Sequence, residues 1–352
     1  MEKSEIICRA ASAVIVIPPR EHDLTLRIEC QDFCRFREKA IPKVSLQKVY
    51  EDYLAFRVLR PSTVKGYDRV VKVYLADFLD RDLGGLPDEE ILKKFVEIRT
   101  KSGEAQAALC IRVFKALYAY AGGRFGIPER NPGKIVRLAG LSLAPVRKTR
   151  FIQKHDLPIW YRSVASLSNN RQECTARDIF LTGLFLGLRK TEIMSLKWSD
   201  IDFRARTLTA RATKNHRDHT LPLPPFVLGI MNERRKDAEK ENCVFAGKNG
   251  LSPIRDIDDS RLKVIAASKV DFTLHDLRRT FATISAEIGI PPYLLKKILN
   301  HKSGDVTEGY VISTPEILRG AILKISKRIE DLCRIKTDLT IHFSEEALSS
   351  SG

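Results

Sequence analysis

"HDLRRTFAT" spans His275–Thr283. Within five residues it holds a proton-transferring histidine, an aspartate and two arginines, and then it turns apolar. Thr273 and Asp276 have the T-x-x-D spacing of a capping box, which predicts a helix starting near His275. The i, i+3 spacing then sets His275 and Arg278 on one face of the first turn. Backbone N–H groups and the positive end of the helix dipole gather at the same place. A guanidinium fork, an imidazole and those N–H groups suit an oxyanion beside a transferable proton. An ordinary capped helix could carry the same residues, so the meaning of the box depends on its company. Arg279 points elsewhere, toward an acidic neighbour or a polyanion.

That company lies on both sides of the box, between residues 186 and 312. In "LGLRKTEIMSLKWSDID" (186–202), Gly187 ends the buried helix "RDIFLTGLFLGL" (177–188), and Arg189 follows at the turn. Glu192 comes three residues later on a new short helix, where its carboxylate can reach back and orient the arginine. "TLTARATK" (207–214) and "HTLPLP" (219–224) alternate like the two strands of a hairpin around the turn "NHRD", with Lys214 where the first strand meets the turn. A lysine there is either solvated or placed to protonate a leaving group. In "LNHKSGDVTEGYVI" (299–312), His301 follows a short helical stretch and Tyr310 lies nine residues on. Two arginines, two histidines and a lysine can surround a phosphodiester, and a tyrosine can attack it. Attack builds charge on the phosphorane oxygens, and arginines and imidazoles aimed there favour that state over the ground state. The chemistry calls for no metal or cofactor, and no acidic cluster suggests one.

The bulk numbers point to the same kind of partner. The chain has 352 residues and a net charge of +16, with 43% hydrophobic residues. That is enough apolar content for packed cores, and it is too much chain for one ordinary core. The charge surplus is +1 over residues 1–43, +5 over 44–140 and +10 over 141–352, so it is largest where the chemistry lies. A polyanionic partner is expected, and nucleic acid is the commonest one. The seven cysteines show no zinc-ligand spacing and read as packed thiols of a reducing compartment. "SAVIVIPP" (12–19) is too short for a membrane span and unlike a signal peptide, so no membrane partner and a cytoplasmic location, nucleoid-associated in a prokaryote, are expected.

Between these motifs the chain divides by pattern. Residues 1–43 form an amino-terminal extension. Residues 44–140 read as helices: "SLQKVYEDYLAFRV" with Ser45 as cap, "PSTVKGYDRVVKVYLADFL" entered through Pro61, "DEEILKKFVEIRTK", and "EAQAALCIRVFKALYAYA". "GIPERNPGKIV" breaks the pattern with Pro128, Pro132 and Gly133. "LSLAPVRKTRFI" (141–152) reads as a basic linker ending in a strand-like step, which sets the linker at 141–150, a mixed domain at 151–336 and a tail at 337–352. In "TPEILRGAILKISKRIEDL" (314–332), Thr314 is a candidate cap. Ile317, Leu318, Ile322, Ile325 and Ile329 make an apolar stripe that could pack on its own domain or on a neighbouring protomer. "TDLTIHF" (337–343) could add a strand.

The ordered motifs resemble those of the tyrosine recombinase (phage integrase) family over roughly residues 44–330. "GLRKTEIMSLKWSDID" resembles its first arginine box, "HDLRRTFAT" its H-x-x-R box, "LNHKSGDVTEGY" its terminal histidine and tyrosine, and "SLQKVYEDYLAFRVLRPSTVKGYDRVV" its helical core-binding domain. The resemblance implies a mainly α fold with a small antiparallel β-sheet (α+β), in which a helical core-binding domain and a mixed catalytic domain form a C-shaped clamp on double-stranded DNA. It implies that Arg189 and Arg278 bind the scissile phosphate, with His301 adding a hydrogen bond. His275 would be the acid/base, Lys214 would protonate the leaving 5′-hydroxyl, Tyr310 would attack and leave a 3′-phosphotyrosyl bond, and Glu192 would support. It further implies a homotetramer on two paired DNA sites, with a DNA-bending or directionality factor as a further candidate partner. The role expected is integration or excision of a phage or other mobile element. A chromosome-dimer or plasmid resolvase, a type IB topoisomerase-like enzyme and a regulator without catalysis are the alternatives. Residues 1–43 are nearly neutral and depart from the basic, aromatic arm-binding domain of many integrases.

Overall fold

The computed structural model describes residues 9–10, 13–14, 43–128, 130–144, 149–211, 218–236, 238, 242–247, 252–301 and 315–335. Contacts divide the chain into two units, 1–147 and 148–352, and each has its own hydrophobic core. The division falls inside the segment read as a linker. The fold is mainly α with a small antiparallel sheet, as expected.

In the first unit, Arg9–Ala10 (β1) pairs with Ala13–Val14 (β2) as a minimal antiparallel ladder. The Ser45 hydroxyl accepts from Lys48 N at 3.2 Å and opens α1 (Leu46–Phe56), an N-cap that satisfies one of the unpaired first-turn donors. Pro61 starts α2 (Pro61–Arg69) at its first position. The single long helix expected over 61–79 is interrupted. Residues Val70–Tyr74 form a π turn, Leu75 N donates to Val70 O at 3.0 Å, and Ala76–Phe78 is a 3-10 turn. α3 (Asp88–Ser102) and α4 (Glu104–Phe125) follow the apolar periodicity, with Ile91, Phe95, Phe114, Leu117 and Tyr118 inside the core. The stretch read as a break contains a fifth helix, α5 (Pro132–Leu138). Asn131 caps it by accepting from Gly133 N at 3.0 Å and Lys134 N at 3.3 Å, and Pro132 occupies the position where a missing N–H costs nothing.

The second unit begins with an irregular segment. The expected strand-like step is not a strand. Instead Ile152 N donates to the Thr280 hydroxyl at 2.9 Å. α6 (Leu157–Ala165) buries Trp160 completely. α7 (Arg171–Leu186) is enclosed on nearly every side and packs against α6 and five later helices described below. Gly187 ends it at φ 61°. A Cβ there would also stand 2.7 Å from Phe281 Cδ1, so both backbone and packing require glycine. α8 (Lys190–Met194) follows immediately, and a 3-10 turn at Trp198–Asp200 leads into the sheet. Strands β3 (Ile201–Asp202), β4 (Thr207–Ala210) and β5 (His219–Pro222) lie in the order β3-β4-β5, all antiparallel, with Ala210 opposite His219. Residues 212–217, which include most of the expected four-residue turn, lie outside the described residues.

Helices α9 (Pro225–Lys236), α10 (Asp258–Ser268), α11 (Leu274–Glu287), α12 (Pro292–Ile298) and α13 (Pro315–Cys333) complete the described unit. α11 carries the capping box. Thr273 N donates to Asp276 Oδ2 at 2.9 Å, and Asp276 N donates to Thr273 Oγ1 at 3.3 Å. On α13, Leu318, Ile322, Ile325 and Ile329 are buried in the core of this same unit, against β5, α6, α7, α11 and α12. The stripe thus packs on its own domain, and Ile317, at 46% exposure, lies off it. The candidate cap Thr314 and the segment "TDLTIHF" lie outside the described residues. Among the described residues no helix is long and apolar enough to cross a membrane.

Candidate active site

Three chain breaks in the second unit meet at one place: the turn after α7, the start of α11 and the end of α12. Arg189 stands at the N-cap of α8. Its Nη1 donates to Glu192 Oε1 at 2.7 Å, and its backbone N donates to Glu192 Oε2 at 2.8 Å. Glu192 is buried, whereas the Arg189 side chain keeps 23% of its surface in solvent. The Glu192 carboxylate thus reaches back to both the guanidinium and the backbone of Arg189. Arg189 Nη2 also donates to Asn300 O at 3.0 Å.

Arg278 is only 4% exposed. One Nη donates to Gly187 O at 2.6 Å and the other to Leu299 O. It therefore staples the turn before Arg189 to the segment before His301. Burial, then the neighbouring Arg189 charge, brings its pKa down to about 10 against the pull of Glu192, so it stays cationic at neutral pH. Two guanidiniums this close repel, and an anion placed between them would relieve the repulsion.

His275 and His301 are both at the surface. Partial withdrawal from water, then the Arg279 and Arg278 charges, hold the His275 pKa below its ordinary value. His301 is lowered in the same way by desolvation and then by Arg278, Arg189 and His275. Each imidazole thus feels the two arginines, and all four side chains share one electrostatic neighbourhood. Imidazoles kept neutral beside fixed positive charge can give or take a proton near neutral pH.

The helix N-terminus itself differs from the open anion site expected at the start of α11. Asp276, 1% exposed, takes up the cap and accepts from Arg150 Nε at 3.0 Å and Nη2 at 2.7 Å, while Arg279 also donates to it. The acidic neighbour of Arg279 is therefore Asp276. Burial opposes ionisation of this carboxyl, but hydrogen bonds from Arg150 and Thr273 outweigh it and hold its pKa below the usual value.

Lys214 and Tyr310 lie outside the described residues. The segment holding Lys214 is flanked by Arg211 and Asp218, whose Nη1 and Oδ2 are 3.4 Å apart, and Arg211 Nε also pairs with buried Asp200 at 2.6 Å. The segment holding Tyr310 runs between His301 and α13. One neighbour escaped the sequence reading. His219, the first residue of β5, has its Nε2 2.8 Å from Ile298 O. Burial, with Arg278 and Arg189 nearby, lowers its pKa against the pulls of Ile298 O and Glu192. The only sequence signal was its nearness to Lys214 on the same hairpin. Among the described residues no group of histidine, cysteine or carboxylate side chains could hold a metal ion.

Residues 161–316 match the phage integrase family. "Prophage integrase IntF" of Escherichia coli K12 is 28% identical over 174 residues, which is 48% of this chain and only 36% of that protein. "Tyrosine recombinase XerA" of Pyrococcus furiosus is 31% identical over 294 residues, 81% of this chain and 95% of that protein. Among solved structures, the integrase of transposon Tn1549 in complex with transposon right end DNA superposes with a TM-score of 0.61 at 16% identity, covering 80% of this chain and 99% of that one. A lambda integrase tetramer bound to a Holliday junction gives 0.57 at 20% identity, covering 76% and 77%. These two share the fold. With a 31% identical relative matched over almost its whole length, the chain belongs to the tyrosine recombinase family of DNA-cleaving and rejoining enzymes.

Proposed function

We propose that the chain is a site-specific recombinase that cuts and rejoins duplex DNA with Tyr310 as nucleophile. The observation that carries this reading is the convergence of Arg189, Arg278, His275 and His301 on one cationic site. Arg189 and Arg278 bind the two non-bridging oxygens of the scissile phosphate, and His301 donates to them as well. Tyr310 Oη attacks phosphorus with His275 close by as acid/base. The bond to the 5′-oxygen breaks, and Lys214 delivers the proton that oxygen needs. The product is a 3′-phosphotyrosyl bond, which stores the energy of the phosphodiester so that rejoining requires no ATP. Stabilisation is greatest at the phosphorane, where charge on the oxygens peaks.

Residues 44–140 act as a core-binding domain, 151–336 as the catalytic domain, and 141–150 as the link between them. Duplex DNA is the substrate, and four protomers act across two paired sites. The support is the fold shared with integrases solved on DNA, one of them a tetramer on a Holliday junction. DNA-bending or directionality factors belong to this reading as partners. Integration or excision of a mobile element is favoured by the likeness to a prophage integrase. A two-site recombination assay beside a plasmid relaxation assay tests the proposal. Exchange between paired sites supports it, and relaxation without exchange would make the protein topoisomerase-like.

A further inference from the structure

The last carbonyls of an α-helix have no partner within the helix. At the end of α12, Leu299 N, Asn300 N and His301 N bond back to Leu295 O, Lys297 O and Lys296 O. The next three carbonyls, of Ile298, Leu299 and Asn300, are each taken by a side chain from another element. His219 Nε2 meets the first at 2.8 Å, Arg278 Nη2 the second, and Arg189 Nη2 the third at 3.0 Å. Asn300 then turns the chain at φ 48°, and His301 follows. The position of His301 is thus set by three tethers.

The three tethers are not equivalent. Arg189 and Arg278 share their N–H groups between these carbonyls and, in the reading above, the scissile phosphate. His219 has no such second duty. A carbonyl only accepts, so Nε2 must carry a proton. Ile298 is 1% exposed and Leu299 4%, so a lost donor there would leave a carbonyl stranded from water.

We propose that His219 is a positioning residue for DNA cleavage: its Nε2–H clamps the end of α12 to strand β5 and thereby holds His301 in place while the arginines engage phosphate. This rests on the role given to His301 under the proposed function. The same bond fixes the base of the hairpin connection that contains Lys214.

The test uses the full chain and a nicked duplex of the site to which the wild-type protein becomes covalently attached. Loss of one such hydrogen bond predicts that H219L slows single-turnover cleavage about tenfold, with DNA binding changed less than about twofold. H219Q, whose amide nitrogen sits where Nε2 does, should return to within about threefold of wild type, while H219N, whose amide falls short of the carbonyl, should be as slow as H219L. In the H301A background, H219L should add less than about twofold, because the residue it positions is gone. Wild-type rates in H219L, equal defects in H219Q and H219N, or independent losses in the double variant would each overturn the inference. If H219L fails to fold, the H219Q and H219N pair decides. If wild-type protein attaches to no DNA, it is the reading of the active site that fails.

Discussion

Helix α13 begins five residues after Tyr310, so whatever holds it also holds one end of the segment that carries the nucleophile. Its stripe sits in the core: Ile322, Ile325 and Ile329 are fully buried and Leu318 is 6% exposed. Fully burying a Leu or Ile side chain contributes about 1.5–3 kcal/mol, so these four contribute about 6–12 kcal/mol. A typical domain has only about 5–15 kcal/mol of net stability. Truncation after residue 313 should therefore unfold the second unit. Ile325→Ala should leave it folded but cost about 2–5 kcal/mol, the lost transfer energy plus the cavity. For a unit of this size, each kcal/mol lowers the Tm by about 2–4 °C, so a drop of about 4–20 °C is expected. Thermal denaturation followed by circular dichroism measures it, alongside a native gel on paired DNA sites. If Ile325→Ala melts like wild type and loses only two-site assembly, the stripe docks on a neighbouring protomer and the packing argument is wrong.

Arg189→Ala should slow cleavage by about 100-fold or more while weakening DNA binding only a few-fold, because its contacts strengthen with charge on the phosphorane and many other basic residues hold the duplex; equal losses in filter binding and cleavage would make it an ordinary backbone contact. Lys214→Ala should slow cleavage strongly on ordinary DNA and much less on DNA with a 5′-bridging sulfur, since a thiolate leaves without a proton; absence of rescue would shift the acid to His216 or Arg217. His219, His275 and His301 all have pKa values lowered from 6.5 in the folded chain. The unfolded chain therefore binds more protons just below pH 6.5, and the stability fully present above that pH is lost as pH falls through it. The Tm should drop between about pH 7 and pH 5.5, less steeply in H219Q, and a flat wild-type profile would contradict the shifts.

Features that depend on near neighbours were legible in the sequence. Gly187, Arg189 and Glu192 lie within six residues of one another, and the Thr273–Asp276 box within four, so spacing alone gave their geometry. The α13 stripe was legible as a stripe, but which surface covers it depends on β5 and α6, far away in the chain. Pro132 was misread because proline stops a helix from inside yet starts one from its first position, and Asn131 just before it supplies the cap. The π turn at Val70–Tyr74 changes only hydrogen-bond register, which an apolar pattern does not record. His219 was missed because its partner is a backbone carbonyl 79 residues on, and a carbonyl has no signature in the sequence. The same holds for the bonds by which Arg278 joins Gly187 to Leu299.

In the proposed mechanism Tyr310 is the nucleophile, and Arg189 and Arg278 hold the phosphate it attacks. Wild type and Tyr310→Phe are incubated with labelled site DNA, denatured and run on a gel. Wild type should give a protein–DNA band that survives denaturation. Tyr310→Phe should bind the DNA equally well and give no such band, because only the attacking oxygen is gone. A covalent band of wild-type intensity in Tyr310→Phe would contradict the account and move the nucleophile elsewhere, with Tyr293 on α12, 36% exposed, the first residue to replace next.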